Sequence, residues 1–390
     1  MRYRLALAAV ALLAWFGKPT AADVAVADVS GPCGLPNTGV NLSEGPTNWA
    51  NFVRPVGRVS VVTIFVDFPD VPATEATTTD FANLVPGGPN WFAASSYGRL
   101  TMDVTPVHRW FRMPQPSSAY NFQRGLTFSL HRAYITDAVR AADAAVDFRG
   151  FQLLHIIPNR AAAAISFSPT FLAPAGAGVS ADGREFRQVV TFGQDMWNWG
   201  FKVLNHESGH TFSLPDLYSF ASGGGGHPFV GGWDLMGLIS GPAPDYFAWH
   251  KWKLGWLDDA QLRCVSTPGT TQVTVNPLST TGGVKAVVVR TSTNVAFVAE
   301  VRTRAGNDSA ICDTGVLVYQ VDSGINSGSG PVRVVDAHPT TSLCGNALND
   351  AAFDLGTGEV ATYDNTTAGV RIELLSKSAS SDYTLRVTRR

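Results

Sequence analysis

The chain has 390 residues, 15% of them charged and 45% hydrophobic, with a formal net charge of −2. That balance lacks the basic footprint of a nucleic-acid binder. Beyond the N-terminus no run of about 20 apolar residues exists, which argues against a membrane-spanning helix. The 38 glycines and 23 prolines favour a loop-rich protein over a helical bundle.

At the N-terminus, Arg2 and Arg4 precede an apolar run over residues 5–16, and Thr20-Ala21-Ala22 supplies small residues. These are the parts of a secretory signal, with cleavage expected after Ala22. Losing the cations Arg2, Arg4 and Lys18 from a net −2 leaves −5 for the mature chain. About 370 residues remain, enough for two domains. Four cysteines, Cys33, Cys264, Cys312 and Cys344, fit an oxidising compartment and allow three pairings. The local pair Cys312 with Cys344 is preferred, leaving Cys33 with Cys264, although sequence does not decide between the pairings. None of the four has metal-site spacing.

Residues 23–57 carry no periodic pattern and form an N-terminal segment that could serve as a short pro-segment. Within it Pro32-Cys33-Gly34-Leu35-Pro36-Asn37 resembles the cysteine switch of matrix metalloproteinases, but no arginine precedes the cysteine, and a structural disulfide is the expected role. Residues 59–68 are β-branched and almost continuously apolar, as in a strand buried on both faces. A short helix is expected within 80–92 and one or two strands over 99–113, broken at Pro106. A helix over 130–146 has Tyr134, Ile135, Ala138, Val139, Ala142 and Val146 on one side. Buried strands follow at 151–157 and 185–192, and a further helix begins near Asp195. This order describes an α/β (α+β) catalytic domain with a mixed sheet, placed at 58–258. Beyond residue 259 short strands recur at 272–276, 284–291, 295–302, 316–321, 332–335, 370–375 and 383–387. Turns such as Ser327-Gly328-Ser329-Gly330 separate them. The pattern is that of an all-β sandwich domain over 259–390.

The chemistry centres on His206-Glu207-Ser208-Gly209-His210. Residues four apart share one helix face, so the two imidazoles can grip one zinc ion, with Glu207 as general base. Met196, Trp199 and Val203 extend the same stripe, which is expected to face inward. Asn198, Lys202, Asn205 and Gly209 are expected to face solvent. A hydrolytic zinc site needs a third protein ligand. Asp216, six residues past His210, has the spacing of the third ligand in metzincins. Glu300 and His227 are the other candidates. The chain must turn sharply to bring Asp216 back, and Ser213 stands where a glycine would turn most freely. Met236, within Gly231-Gly232-Trp233-Asp234-Leu235-Met236-Gly237, is placed to form a Met-turn under the metal. Tyr218 or Tyr246 could add a hydrogen bond to an oxyanion or substrate.

Several blocks resemble the secreted immune inhibitor A-like zinc metallopeptidases. His206-Glu207-Ser208-Gly209-His210 followed by Leu214-Pro215-Asp216-Leu217-Tyr218 is similar to their zinc-binding block. Trp233-Asp234-Leu235-Met236 is similar to their methionine turn, and Ala248-Trp249-His250-Lys251-Trp252-Lys253-Leu254-Gly255-Trp256-Leu257 to a tryptophan-rich segment. Val66-Asp67-Phe68-Pro69-Asp70, Ser96-Tyr97-Gly98-Arg99-Leu100, Glu300-Val301-Arg302 and the residues from Gly315 to Asp322 also fit. The resemblance runs from about residue 58 to near the C-terminus. It implies a metzincin-like fold, one catalytic Zn2+ and cleavage of protein or peptide substrates. This sequence departs from the family at Ser213, usually glycine, and in lacking a long propeptide.

The expected protein is therefore an exported monomeric zinc endopeptidase without nucleic-acid or membrane partners. Calcium (Ca2+) is compatible with the loops but assigned to no residue. Two rivals are a catalytically inactive secreted binding protein that uses its β-domain, and a zinc hydrolase restricted to short peptides.

Overall fold

The computed structural model describes residues 31–221, 227–242 and 244–390. The expected secretion signal at 1–22 lies outside the described residues. In chain order the N-terminal half contains β1 (Gly57–Asp67), α1 (Thr77–Leu84), α2 (Gly87–Ser95), β2 (Leu100–Arg112), α3 (Phe128–Ala142), β3 (Leu153–Pro158), β4 (Thr170–Leu172), β5 (Val179–Ala181), β6 (Arg184–Phe186), β7 (Gln188–Thr191), α4 (Asp195–Trp199), α5 (Phe201–Thr211) and α6 (Ala248–Lys253). The C-terminal half contains β8 (Leu262–Val265), β9 (Gly269–Val275), β10 (Ala286–Arg290), β11 (Val295–Arg302), β12 (Gly315–Asp322), β13 (Val332–Val334), β14 (Thr362–Asn365), β15 (Val370–Lys377) and β16 (Tyr383–Arg389).

The first sheet has the order β2-β1-β3-β7-β4. Its pairings are parallel except at the edge, where β4 runs antiparallel to β7. Strand alternation sends Val59, Val61 and Phe65 of β1 into one core, shared with α5 residues Val203 and Leu204. Val62, Ile64 and Val66 enter another core on the opposite face, against α3 residues Tyr134, Ile135 and Ala138. A strand buried on both faces reads as a continuous apolar run, and residues 59–66 do. Pro106 does not break β2. It pairs with Thr63, and a bulge follows between the pairs Ile64–Val107 and Phe65–Trp110. An edge strand tolerates both features because one side of its backbone has no ladder partner.

In the C-terminal half, the sheet β13-β12-β11-β10-β8 packs on the sheet β14-β15-β16-β9. Val287, Val289, Phe297, Ala299, Val316 and Val318 fill the space between them with Ile372, Leu385 and Val387. The alternate residues of the same strands, Ala286, Val288, Ala296, Val298, Leu317 and Tyr319, belong to the core that holds α5. One face of this sheet thus builds the sandwich while the other welds it to the N-terminal half. At that junction Arg302 is fully buried and bonds Glu300 at 2.9 Å and Asp308 at 2.7 Å.

Residues 31–57 contain no helix or strand before β1 begins at Gly57, yet they thread through both halves. Cys33 is bonded to Cys264, and Cys312 to Cys344. Glu44 is fully buried and accepts a hydrogen bond from His250 Nε2 at 2.9 Å. His250 Nδ1 meets Asp234 at 3.0 Å. Trp249 Nε1 donates to the Glu44 carbonyl, and Trp256 Nε1 to that of Pro55. Two disulfides fit an extracellular, oxidising environment, and among the described residues no helix is long and apolar enough to cross a membrane.

Candidate metal centre

The helix expected from Asp195 is two helices. Gly200, at φ 56° and ψ −134°, ends α4 and starts α5. That backbone region is essentially open to glycine alone. The break turns Trp199 out of the expected inward stripe, leaving it 37% exposed, while Met196 stays buried. Asn205 and Gly209, expected to face solvent, are buried. Every residue of α5 from Val203 to Thr211 is enclosed, because α2 packs on one side and the Met236 turn and Tyr246 on another. At Gly209 a Cβ would stand 2.6 Å from Met236 Sδ and 2.9 Å from the Tyr246 hydroxyl. Hydropathy alone marks Asn and Gly as surface residues; here asparagine and glycine are what fits beneath a close-packed neighbour.

After Thr211 the chain reverses through Ser213 at φ 73°. A side-chain-bearing residue pays about 1–2 kcal/mol in that region. Lys253 Nζ offsets part of this by donating to the Ser213 carbonyl at 2.8 Å. Pro215 follows, and Asp216 returns to the helix. Its Oδ1 lies 3.1 Å from His206 Nε2 and 3.3 Å from His210 Nε2. The three ligand-type atoms lie within 4.8 Å of one another, and no other group of three or more such side chains occurs among the described residues.

Both imidazoles are oriented from behind. His206 Nδ1 donates to the Leu235 carbonyl at 3.0 Å and His210 Nδ1 to that of Leu214 at 2.8 Å. A carbonyl only accepts, so a ring in its neutral form presents an Nε2 lone pair to Asp216. Two lone pairs and a carboxylate oxygen so close repel unless positive charge lies among them, either a metal ion or protons on the imidazoles. A tetrahedral ion with bonds of about 2.0–2.2 Å spaces its ligand atoms by roughly 3.4 Å, close to the two separations from Asp216. The donor set therefore fits a zinc ion. Burial by itself raises the Asp216 carboxyl, but the two histidines outweigh it and hold it well below its usual range. With no ion between them, burial lowers His210 and Asp216 more than reverses this, lifting it to about 9, so a proton and a zinc ion compete for the same nitrogen.

Glu207 is buried beside this cluster and raised above the ordinary carboxylate range by that burial, against the pull of both histidines. Thr170, the first residue of β4, places its hydroxyl 2.7 Å from both Glu207 Oε2 and the Glu207 carbonyl, sharing one proton between them. Both residues line a cleft of about 340 Å3 together with His206, His210, Asp216 and Tyr218. Asn41 and Leu42 of the N-terminal segment, Arg124, Trp199, His227 and Ser327 also contribute to its wall.

Met236 sits in a turn closed by Gly237 N to Asp234 O at 2.9 Å. It is fully buried against the far side of α5. Tyr218 reaches the cleft. Tyr246 does not: it lies in the core, with its hydroxyl on the Asn205 carbonyl at 3.1 Å, so the expectation that it contacts an oxyanion is corrected. Glu300 is likewise remote, bound to Ala248 N, Tyr319 and Arg302. His227 lines the cleft, but its Nδ1 is on the Gly237 carbonyl at 2.8 Å. Thr170, Asn41, Leu42 and Ser327 were not anticipated. Only Gly328 and Gly330, which follow Ser327, marked its neighbourhood, and they read as an ordinary turn.

No protein-family model matches the chain, and no curated protein does. Among solved structures, catalytically inactive OgpA from Akkermansia muciniphila, in complex with the O-glycopeptide glycodrosocin, is 11% identical with a TM-score of 0.25. That comparison covers 72% of this chain and 92% of the other. Wild-type OgpA has the same identity and TM-score, covering 73% and 92%.

Proposed function

We propose that the protein is an exported zinc-dependent endopeptidase. The observation that carries this reading is the convergence of His206, His210 and Asp216 at one end of a cleft, with a buried glutamate beside them. His206, His210 and Asp216 would hold the ion. Bound there, zinc supplies Lewis acidity and brings the pKa of its water to about 7. Glu207, held by the Thr170 hydroxyl, accepts a proton from the attacking water and returns it to the leaving amine. Tyr218 lines the cleft with its hydroxyl on Asp216, and would have to leave that carboxylate to donate to the developing oxyanion.

The test is zinc content together with digestion of casein and of short peptides. The wild type should hold one equivalent of zinc and lose cleavage on chelation. Glu207→Gln should keep the zinc and lose cleavage. Cleavage by Glu207→Gln, or by zinc-free protein, would refute the assignment. Zinc without cleavage would favour a binding protein, and cleavage confined to dipeptides a short-peptide hydrolase.

A further inference from the structure

Asp216 lies in a stretch without helix or strand between Phe212 and Tyr218, so no regular hydrogen-bond ladder sets its depth or rotamer. Beside the Tyr218 hydroxyl and the bond from Leu217 N to the Met236 carbonyl at 3.0 Å, what holds it comes from the C-terminal half, 111 positions away. The Ser327 hydroxyl accepts from Asp216 N at 2.8 Å and donates to Asp216 Oδ2 at 3.1 Å. Gly328 N donates to the Asp216 carbonyl at 2.9 Å. With Oδ2 occupied, Oδ1 is the oxygen turned toward the two Nε2 atoms. Ser327 thereby selects which carboxylate oxygen faces the cluster.

The Ser327 loop is itself clamped. Its backbone N donates to the Asn41 carbonyl at 3.1 Å, and Asn41 N donates to Asn326 Oδ1 at 2.9 Å. Thr38 and Ser43 both donate to the Ser323 carbonyl, at 2.5 and 2.8 Å. On the other side Phe220 N donates to the Gly328 carbonyl at 3.0 Å. Gly328 is at φ 73°, where a Cβ would stand 2.3 Å from the Phe220 ring. The loop is thus locked both to the N-terminal segment and to the chain just past Asp216.

We propose that Ser327 is a positioning residue for the metal centre: it presents Asp216, and metal affinity depends on it. This rests on the zinc reading above. Partners that orient metal-ligating side chains are worth about 10–100-fold in affinity, and a hydroxyl that both accepts from a backbone N–H and donates to the carboxylate of one residue is such a partner.

The test is zinc affinity of the full chain, by competition with a chromophoric chelator, for wild type, Ser327→Ala and Ser327→Thr. The visible spectrum of each protein loaded with cobalt(II) is recorded alongside. Ser327→Ala should bind zinc about 10–100-fold more weakly, with an altered cobalt spectrum and an unchanged far-ultraviolet circular dichroism spectrum. Ser327→Thr, which retains the hydroxyl, should restore both affinity and spectrum. Wild-type affinity and spectrum in Ser327→Ala would overturn this inference and leave the zinc reading intact. A wild type that binds no zinc would overturn both.

Discussion

Gly209→Ala sets two effects of opposite sign against each other. In an exposed helix the substitution stabilises by about 1 kcal/mol, since glycine is the poorer helix former. In α5 the new methyl meets Met236 Sδ at 2.6 Å, the Tyr246 hydroxyl at 2.9 Å and Met236 Cε at 3.3 Å. A methionine tip can often swing away. Met236, however, is fully buried, its N–H is held by Asp234 at 2.7 Å, and its carbonyl accepts from Leu217 N. Tyr246 is no freer, being bonded to the Asn205 carbonyl, stacked 5.8 Å from Trp256 and edge-on 4.8 Å from Trp91. Overpacking of such a site costs about 1–3 kcal/mol. Packing should win over propensity, for a net loss of about 1 kcal/mol and a Tm lower by about 1–2 °C. Calorimetry at one scan rate measures it. Met236→Ala, which costs about 2–5 kcal/mol alone, should make room for the methyl, so the double variant should be less destabilised than the sum of the single ones. A Tm for Gly209→Ala at or above wild type, or strict additivity in the double variant, would refute the claim that Met236 closes the far side of the histidine helix.

Two further outcomes concern buried ionisable groups. Glu44→Ala leaves His250 with Asp234 as its one remaining carboxylate and takes from Lys253 the Glu44 carboxylate at 3.8 Å, both cations being buried, and removing one partner of such a cluster costs about 3–5 kcal/mol. The variant should unfold at lower denaturant, and limited proteolysis should cut within residues 31–57 that resist it in the wild type. His155 is fully buried, with no hydrogen-bond partner on either ring nitrogen, and burial pushes it down to about 3 from 6.5. The unfolded chain therefore binds more protons between those values. The stability this group contributes is complete above about pH 6.5 and declines by about 1.4 kcal/mol per pH unit as pH falls toward 3. His155→Leu should flatten the fall of Tm between pH 6.5 and 4, and an unchanged slope would refute it.

The sequence by itself determined the features whose geometry is local. Residues four apart share a helix face whatever surrounds them, so His206 and His210 were legible as a pair. The run at 59–68 announced a strand buried on both faces, and the shift to short strands after residue 259 announced the second half. Where a single residue overrides periodicity, the reading failed: Gly200 divides the expected helix and swings Trp199 outward. Pro106 survives only because β2 lies at an edge, which no sequence window states. Tertiary structure alone decided what α5 packs against, and so why Asn205 and Gly209 are inside. It also decided that Tyr246 and Glu300 lie away from the cleft, that Thr170 meets Glu207, and that Ser327 presents Asp216. Those last contacts join residues 37 and 111 positions apart. Chain separation of that size leaves no periodic trace, because only the folded packing of the two halves brings such residues within hydrogen-bonding reach.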